Sequence, residues 1–260
     1  MLEKSRALLI DVGNTRTKYS VFSDSQELSE TKILVRSQNI AFKSSLTTIL
    51  KTCSMVFIAS VVEQETNAIV DRIKQYIVTT DNILQYKVIK VRSQEFGIQC
   101  PYKQPEKLGI DRWLTALAVA KRTHIATAII DAGTAITVDF VHNGKYLGGW
   151  ISPGLRLLHE SLIANTAQID AATKRLQALQ IGDSTEACVN NGCLAAALGI
   201  IHGAIVQLER LGSHYQVILL GGDAEYLLAT AKMTHQHITI EQDLVFQGMA
   251  LFVDSAAIQV

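Results

Sequence analysis

Three aspartates, Asp11, Asp111 and Asp131, stand close to glycines and to hydrogen-bond donors, where a carboxylate can serve phosphate binding or proton transfer. In Asp11-Val12-Gly13-Asn14-Thr15-Arg16-Thr17-Lys18, Gly13 lets backbone N–H groups approach an anion. Asn14, Thr15 and Thr17 add donors, and Lys18 adds a positive charge. Asp11, ending the apolar run before it, has the hard oxygen chemistry to hold a hydrated Mg²⁺. Alternating apolar residues on both sides, within 8–22, predict strand, tight turn, strand. Walker-type loops and dinucleotide fingerprints need a glycine-rich turn that opens a helix, so neither fits here. Taken alone, the stretch reads better as an ordinary hairpin with a polar turn than as a phosphate loop.

Residues 126–141, ATAIIDAGTAITVDFV, repeat that unit. Placing Asp131 on Asp11 puts Gly133 on Gly13, Thr134 on Asn14, Thr137 on Thr17 and Ile130 on Ile10, at an offset of 120 residues. Internal self-similarity of this kind marks a duplication. Two facing Asp-x-Gly turns would grip a polyphosphate from opposite sides with a metal ion between them, which raises the phosphate reading of both.

The third carboxylate lies in a different setting, CPYKQPEKLGIDRWLTALAVAKR over 100–122. Two of the chain's three prolines, Pro101 and Pro105, stiffen the approach, and Gly109 supplies a turn. Beyond it Leu114, Leu117, Ala118 and Lys121 follow helical spacing, so Asp111 falls at a helix start. Asp111 could simply cap that helix and Arg112 could form a surface ion pair. The same two residues could also accept a proton from an attacking hydroxyl and hold a substrate carboxylate through paired hydrogen bonds. The local sequence permits both readings.

Other elements must position these groups. Strands are expected over 32–35, 55–62, 86–91 and 216–220, and helices over 41–52, 63–76 and 244–258. Asn143-Gly144 predicts a hairpin turn, and 155–163 a helix whose core face is Leu155, Leu158 and Leu162. His159 on that helix reads as a partly buried residue, with no nucleophile arrangement around it. Gly182-Asp183-Ser184-Thr185-Glu186 opens another helix, capped by Asp183 or Ser184. Its small residues Gly192, Ala195, Ala196, Gly199 and Gly203 form a stripe suited to close packing, within the chain or between subunits, of which the first is the safer expectation. Backbone N–H groups in Gly221-Gly222-Asp223-Ala224 could face a nucleotide. Lys87, Lys90 and Arg92 read as a solvated strand edge, and His235 with His237 lacks a third metal ligand.

A chain of 260 residues with 48% apolar and 18% charged residues is globular and long enough for a sizeable core. Its 24 basic and 24 acidic residues cancel, so nothing draws it toward nucleic acid or an anionic membrane. The four cysteines, Cys53, Cys100, Cys188 and Cys193, show no metal spacing and predict reduced thiols in a cytoplasmic protein. The most apolar later stretch, 193–206, falls short of a membrane span.

With these pieces assembled, the sequence resembles the type III pantothenate kinases of the actin/Hsp70/sugar-kinase superfamily, nearly end to end. DVGNTRTK at 11–18 is similar to the first phosphate motif, PEKLGIDRW at 105–113 to the pantothenate motif and DAGTAITVD at 131–139 to the second phosphate motif. GGWISPG at 148–154, NTAQI at 165–169 and the 182–185 turn follow in the family's order. Leu220 stands where many members carry Thr, and Asp170 where proline is common.

The resemblance implies two duplicated actin-like (ribonuclease H-like) α/β domains, 1–122 and 123–260, with mixed sheets, flanking helices and the nucleotide in the cleft between them. It implies that Asp11, Gly13, Asn14, Thr15, Arg16, Thr17, Lys18, Gly133 and Thr134 bind the ATP phosphates. Mg²⁺ is then held by Asp11 through water, and a monovalent cation, K⁺ or NH₄⁺, by Asp131. Asp111 corresponds to the proton acceptor. Tyr102, Gly109, Ile110, Asp111 and Arg112 line the pantothenate site, and Thr185 reaches pantothenate across a homodimer interface. The implied reaction is ATP-dependent phosphorylation of pantothenate to 4'-phosphopantothenate in the cytoplasm, the first step of coenzyme A biosynthesis. The alternatives are another kinase or phosphatase of the same superfamily acting on a sugar or acetate, which the GIDR motif disfavours, and a catalytically inactive member with a regulatory or accessory role.

Overall fold

The computed structural model describes residues 6–23, 27–35, 46–81, 83–166, 169–231 and 237–257. Positions 41–45 of one expected helix, 167–168 of the NTAQI motif, and His235 lie outside these residues. The chain divides into two compact units: the N-terminal part to Ala118 together with the segment from Asp243 onward, and Val119–Gln242.

The first unit is built on β1 (Ala7–Val12), β2 (Arg16–Phe22), β3 (Lys32–Val35), β4 (Met55–Ser60) and β5 (Gln85–Val88), in the order β3-β2-β1-β4-β5. β1 is antiparallel to β2 and parallel to β4. As a central strand it is covered on both faces, which is why ALLIDV is buried throughout instead of alternating. Helical residues 46–50 (α1) and α2 (Glu63–Thr80) bring Leu46, Leu50, Ile69, Ile73 and Tyr76 into a core with Leu8, Ile10, Val56 and Ile58. β5 stops at Val88, so Lys90 and Arg92 lie past its end. All three expected edge cations are exposed, with Lys87 Nζ 5.4 Å from the Phe252 ring centre and Arg92 Nε 3.8 Å from Glu95. The short strands β6 (Gln94–Glu95) and β7 (Ile98–Gln99) pair antiparallel beyond β5.

α3 (Ile110–Arg122) starts in this unit, and α7 (Leu244–Ala257) closes it. Where a second domain of 123–260 was expected, the segment from Asp243 onward groups with the first unit. α7 buries Leu244, Phe246, Met249 and Phe252 and lies against β1 and β4, a placement that hydrophobic periodicity alone does not specify.

The second unit repeats the first sheet strand for strand. β8 (Ala126–Ala132), β9 (Ala135–His142), β10 (Lys145–Pro153), β11 (Tyr215–Leu220) and β12 (Ile238–Ile240) follow the order β10-β9-β8-β11-β12 with the same parallel and antiparallel relations. The duplication therefore extends from the hairpin to a five-stranded sheet. Asn143 and Gly144 take φ of 52° and 69° in the expected hairpin turn. On α4 (Leu155–Asn165) His159 is buried, Leu155 and Leu158 of the expected core face are half-buried and pack against buried clusters, and Leu162 alone of that face is exposed.

α5 (Thr185–Leu211) begins at Ser184, whose Oγ accepts from the Ala187 N–H at 3.2 Å. It is 27 residues long and, unlike its inner stretch 193–206 alone, long and apolar enough to cross a membrane, but half of its most apolar stretch is buried inside the protein. Leu194, Ala197, Ile201, Ala204, Ile205 and Leu208 pack on the sheet. Because these residues occupy the core face, Gly192, Ala195, Ala196 and Gly199 turn outward and are exposed, against the expectation that they pack within the chain. Gly203 lies half-buried beside Trp150.

Candidate active site

In the first unit β1 carries Asp11 to its C-terminal end, where it pairs with Lys18 across the hairpin. The Gly13 N–H donates to the Arg16 carbonyl at 2.9 Å and closes the turn. Asn14, Thr15 and Arg16 are exposed at its tip, and Asp11 is largely buried, at 8% exposure. Thr17 is directed inward and is only 3% exposed, so the turn's accessible donors are the exposed tip residues and half-buried Lys18 rather than Thr17. Tip backbone, short polar side chains and a cation at a strand end are groups that can donate to an anion.

The same unit holds Asp111. Pro105–Lys107 form a 3₁₀ turn that seats buried Leu108 and Ile110. Gly109 then caps α3, its carbonyl accepting from the Trp113 N–H at 3.0 Å. Asp111 is thus in the first helical turn rather than at the cap, and its Oδ1 accepts from the Arg112 N–H at 2.8 Å. A Cβ on Gly109 would stand 2.6 Å from that oxygen, so only glycine leaves the carboxylate in this position. The helix dipole favours a carboxylate there. Arg112 is 6% exposed, and its Nη1 donates to the Tyr102 hydroxyl at 3.0 Å. A buried guanidinium aligned by a tyrosine, next to a half-buried carboxylate, can hold an anionic substrate group and accept a proton nearby.

In the second unit Asp131 pairs with Thr137 across β9 and lies beside Leu220 of β11. The Gly133 N–H donates to the Ala135 carbonyl at 3.0 Å, and Thr134 is exposed. Since Asp11 faces Lys18 and Asp131 faces Thr137, the second turn is one residue shorter, and past the turn Lys18, not Thr17, occupies the ladder position of Thr137. The 148–154 motif supports this turn directly. Gly154 donates its N–H to the Thr134 carbonyl at 3.0 Å, and a Cβ there would lie 2.2 Å from the Gly133 carbonyl oxygen. Behind the turn, buried Asp139 accepts from the Tyr146 hydroxyl at 2.5 Å.

The turn after β11 is not open in the way its sequence suggested. The Gly221 N–H donates to Gln242 Oε1, and the Asp223 N–H to the Ala132 carbonyl, so both are already engaged. Thr185 is exposed as the first residue of α5. His159 is 4% exposed, with Nδ1 3.1 Å from the Thr173 hydroxyl and Nε2 without a partner. Sequence reasoning missed the supporting parts played by Gln242 and by the Gly154 amide. A lone Gln in a loop has no signature spacing, whereas the SPG run was visible but its partner turn was not.

For metals, no group of three or more Asp, Glu, His or Cys side chains that could hold an ion occurs among the described residues. One carboxylate in each turn suits a cation that keeps several waters and is completed by substrate phosphates, as Mg²⁺ does, and not an all-protein cage. At the second turn, Asp131 Oδ1 and the Ala132 carbonyl both border Gly221, a pair of hard oxygen donors.

The model of a family described as Type III pantothenate kinase matches residues 7–207. A Type III pantothenate kinase of Colwellia psychrerythraea (strain 34H / ATCC BAA-681) is 35% identical over 251 residues, covering 93% of this chain and 98% of that protein. One from Pseudoalteromonas atlantica (strain T6c / ATCC BAA-1087) is 32% identical over 250 residues, covering 96% and 98%. Among solved structures, a conserved Baf-family protein from Campylobacter jejuni superposes with a TM-score of 0.61 at 19% identity, covering 96% of this chain and 98% of its own. The activator of the 2-hydroxyisocaproyl-CoA dehydratase from Clostridium difficile, with bound ADPNP, gives 0.51 at 12% identity, with coverages of 99% and 98%. The structural likenesses bear on the fold alone.

Proposed function

The chain belongs to the type III pantothenate kinases, with their duplicated actin-like α/β fold, and on that premise we propose how its residues share the work. The protein phosphorylates pantothenate with ATP and a divalent metal to give 4'-phosphopantothenate, the first step of coenzyme A biosynthesis. The observation that carries the assignment of roles is the juxtaposition of Asp111 with buried Arg112 at one helix start.

Arg112, aligned by Tyr102, holds the pantothenate carboxylate, with Gly109 and Ile110 shaping the same wall. Asp111 accepts the proton of the primary hydroxyl as its oxygen attacks the γ-phosphorus, and the bond from that phosphorus to the bridging oxygen of ADP breaks. Asn14, Thr15, Arg16, Lys18 and the Gly13 backbone, with Thr17 buttressing the turn from within, hold the phosphates on the first turn, and Gly133 and Thr134 do so on the second. Asp11 holds Mg²⁺ through water, and Asp131 with neighbouring carbonyl oxygen holds K⁺ or NH₄⁺. When bound, these cations supply neutralisation of phosphate charge. Phosphoryl transfer asks chiefly for such positioning and neutralisation.

The working enzyme in this reading is a cytoplasmic homodimer, with Thr185 reaching the pantothenate of the partner subunit. Its support is the outward stripe of small residues on α5, together with Trp150, exposed beside Gly203 of the same helix.

The test is ADP release by purified protein with Mg-ATP, with and without pantothenate, in K⁺ and in Na⁺. Pantothenate-dependent release that is faster in K⁺ is expected. Asp111→Asn should lower kcat by at least ~10²-fold, the lower range for general base catalysis, while keeping ATP affinity. Full activity of that variant would sink the assignment of the base, and binding of both substrates without ADP release would favour the inactive alternative.

A further inference from the structure

Gln242 follows β12 in a segment fixed on both sides of its own chain. The Glu241 N–H donates to the Leu219 carbonyl at 2.9 Å, and the Glu241 carboxylate takes two 2.7 Å hydrogen bonds from Arg122. So anchored, the exposed Gln242 carboxamide forms a two-way pair with one residue: Oε1 accepts from the Gly221 N–H and Nε2 donates to the Gly221 carbonyl, each at 3.1 Å. Gly221, at φ 92°, in turn touches the end of β8. A Cβ on it would stand 2.3 Å from Asp131 Oδ1 and 2.5 Å from the Ala132 carbonyl oxygen.

Two features separate this contact from ordinary loop packing. Gln242 uses both ends of its amide on one backbone residue, so the two peptide groups that flank Gly221 are held together against rotation. The residue so fixed lies directly against the Asp131 carboxylate, leaving no room there for even a Cβ. Because the carboxamide is exposed, its hydrogen bonds compete with water and contribute little to global stability; their effect falls on local geometry.

We propose that Gln242 is a positioning residue for the nucleotide and cation side of the reaction, holding Gly221 against Asp131 so that the second turn meets ATP in one arrangement. The proposal rests on the assignment of Asp131 to that site. Gln242→Ala removes both hydrogen bonds, whereas Gln242→Glu keeps the acceptor for the Gly221 N–H and loses the donor.

The full-length variants are compared with wild type for kcat, KM of Mg-ATP, KM of pantothenate, the K⁺ concentration for half-activation, and Tm. Gln242→Ala is expected to raise the Mg-ATP KM and the half-activating K⁺ concentration by about 3- to 10-fold, what one or two neutral hydrogen bonds are worth. Pantothenate KM and Tm should stay close to wild type, and Gln242→Glu should fall between. Unchanged Mg-ATP and K⁺ parameters in Gln242→Ala overturn the proposal, as does a uniform loss across all parameters with a lowered Tm, which would mark general destabilisation. Asp131→Asn separates the two layers. If that variant keeps wild-type K⁺ and Mg-ATP behaviour, the assignment of Asp131 fails; if it loses them while Gln242→Ala is silent, only the role of Gln242 fails.

Discussion

Arg112 shows how much a buried charge depends on its partners. A guanidinium 6% exposed to solvent is costly unless hydrogen-bonded, and Tyr102 supplies one such bond in a fixed direction. Tyr102→Phe should therefore raise the pantothenate KM by about 3- to 10-fold with kcat little changed. Arg112→Lys, which keeps the charge but loses the planar fork, should lower kcat/KM on the order of 10- to 100-fold. Steady-state kinetics at fixed saturating ATP check both; equal effects on ATP and pantothenate would contradict a substrate-specific role. Away from the site, burial pushes the Asp254 carboxyl above the usual carboxylate range. The folded chain then holds that proton more tightly than the unfolded chain. The associated stability is fully present below the unfolded pKa, about 4, and is lost as pH rises through the raised folded value. Asp254→Asn should thus gain Tm over wild type at pH 7 and lose that advantage near pH 4, which thermal unfolding at the two pH values would detect.

Among the elements, the strand-to-helix corner at Pro153-Gly154 matters most to the second turn. Gly154→Ala would force a methyl group to within 2.2 Å of the Gly133 carbonyl, and a backbone atom cannot swing aside as a flexible side chain can. The variant should lose most ATP affinity and at least ~1 kcal/mol of stability, the lower range for overpacking a tight site; nucleotide titration and denaturant unfolding measure the two effects. How far such elements could be read in advance depended on the range of the interactions behind them. The Asp11 and Asp131 hairpins were legible because strand alternation and turn chemistry are local, and the Ser184 cap was legible for the same reason. The one-residue difference between the two turns was not, because a motif alignment fixes the approach to a turn but cross-strand register emerges only on pairing. Nor was the outward face of α5, where apolar residues occur around the helix and sequence alone cannot choose the larger ones as the core stripe. α7 was recognisable as a helix, yet its place on β1 and β4 depends on contacts between residues far apart in the chain.

At the scale of the whole molecule, the proposed homodimer would rest on α5. Its inner face is a continuous core stripe, and its outer face presents Gly192, Ala195, Ala196 and Gly199, with exposed Trp150 beside Gly203 one turn further along. Small residues permit close backbone approach, and the Trp150 indole gives a second copy apolar surface to bury. A Cβ at Gly199 would meet nothing within 4 Å among the described residues and the position is exposed, so Gly199→Arg should fold with a near-native Tm yet sediment as a monomer. Because Thr185 begins the same helix, the monomer should share the defect of Thr185→Val: a pantothenate KM raised by about 10-fold, roughly one hydrogen bond's worth, with ATP binding unchanged. Mixing gives the sharper result. An Asp111→Asn subunit retains Thr185, and a Thr185→Val subunit retains Asp111, so their heterodimer contains one site with both groups. At sub-saturating pantothenate, exchanged mixtures should turn over faster than the average of the two parents, whereas rates equal to that average would mean that each subunit completes its site alone.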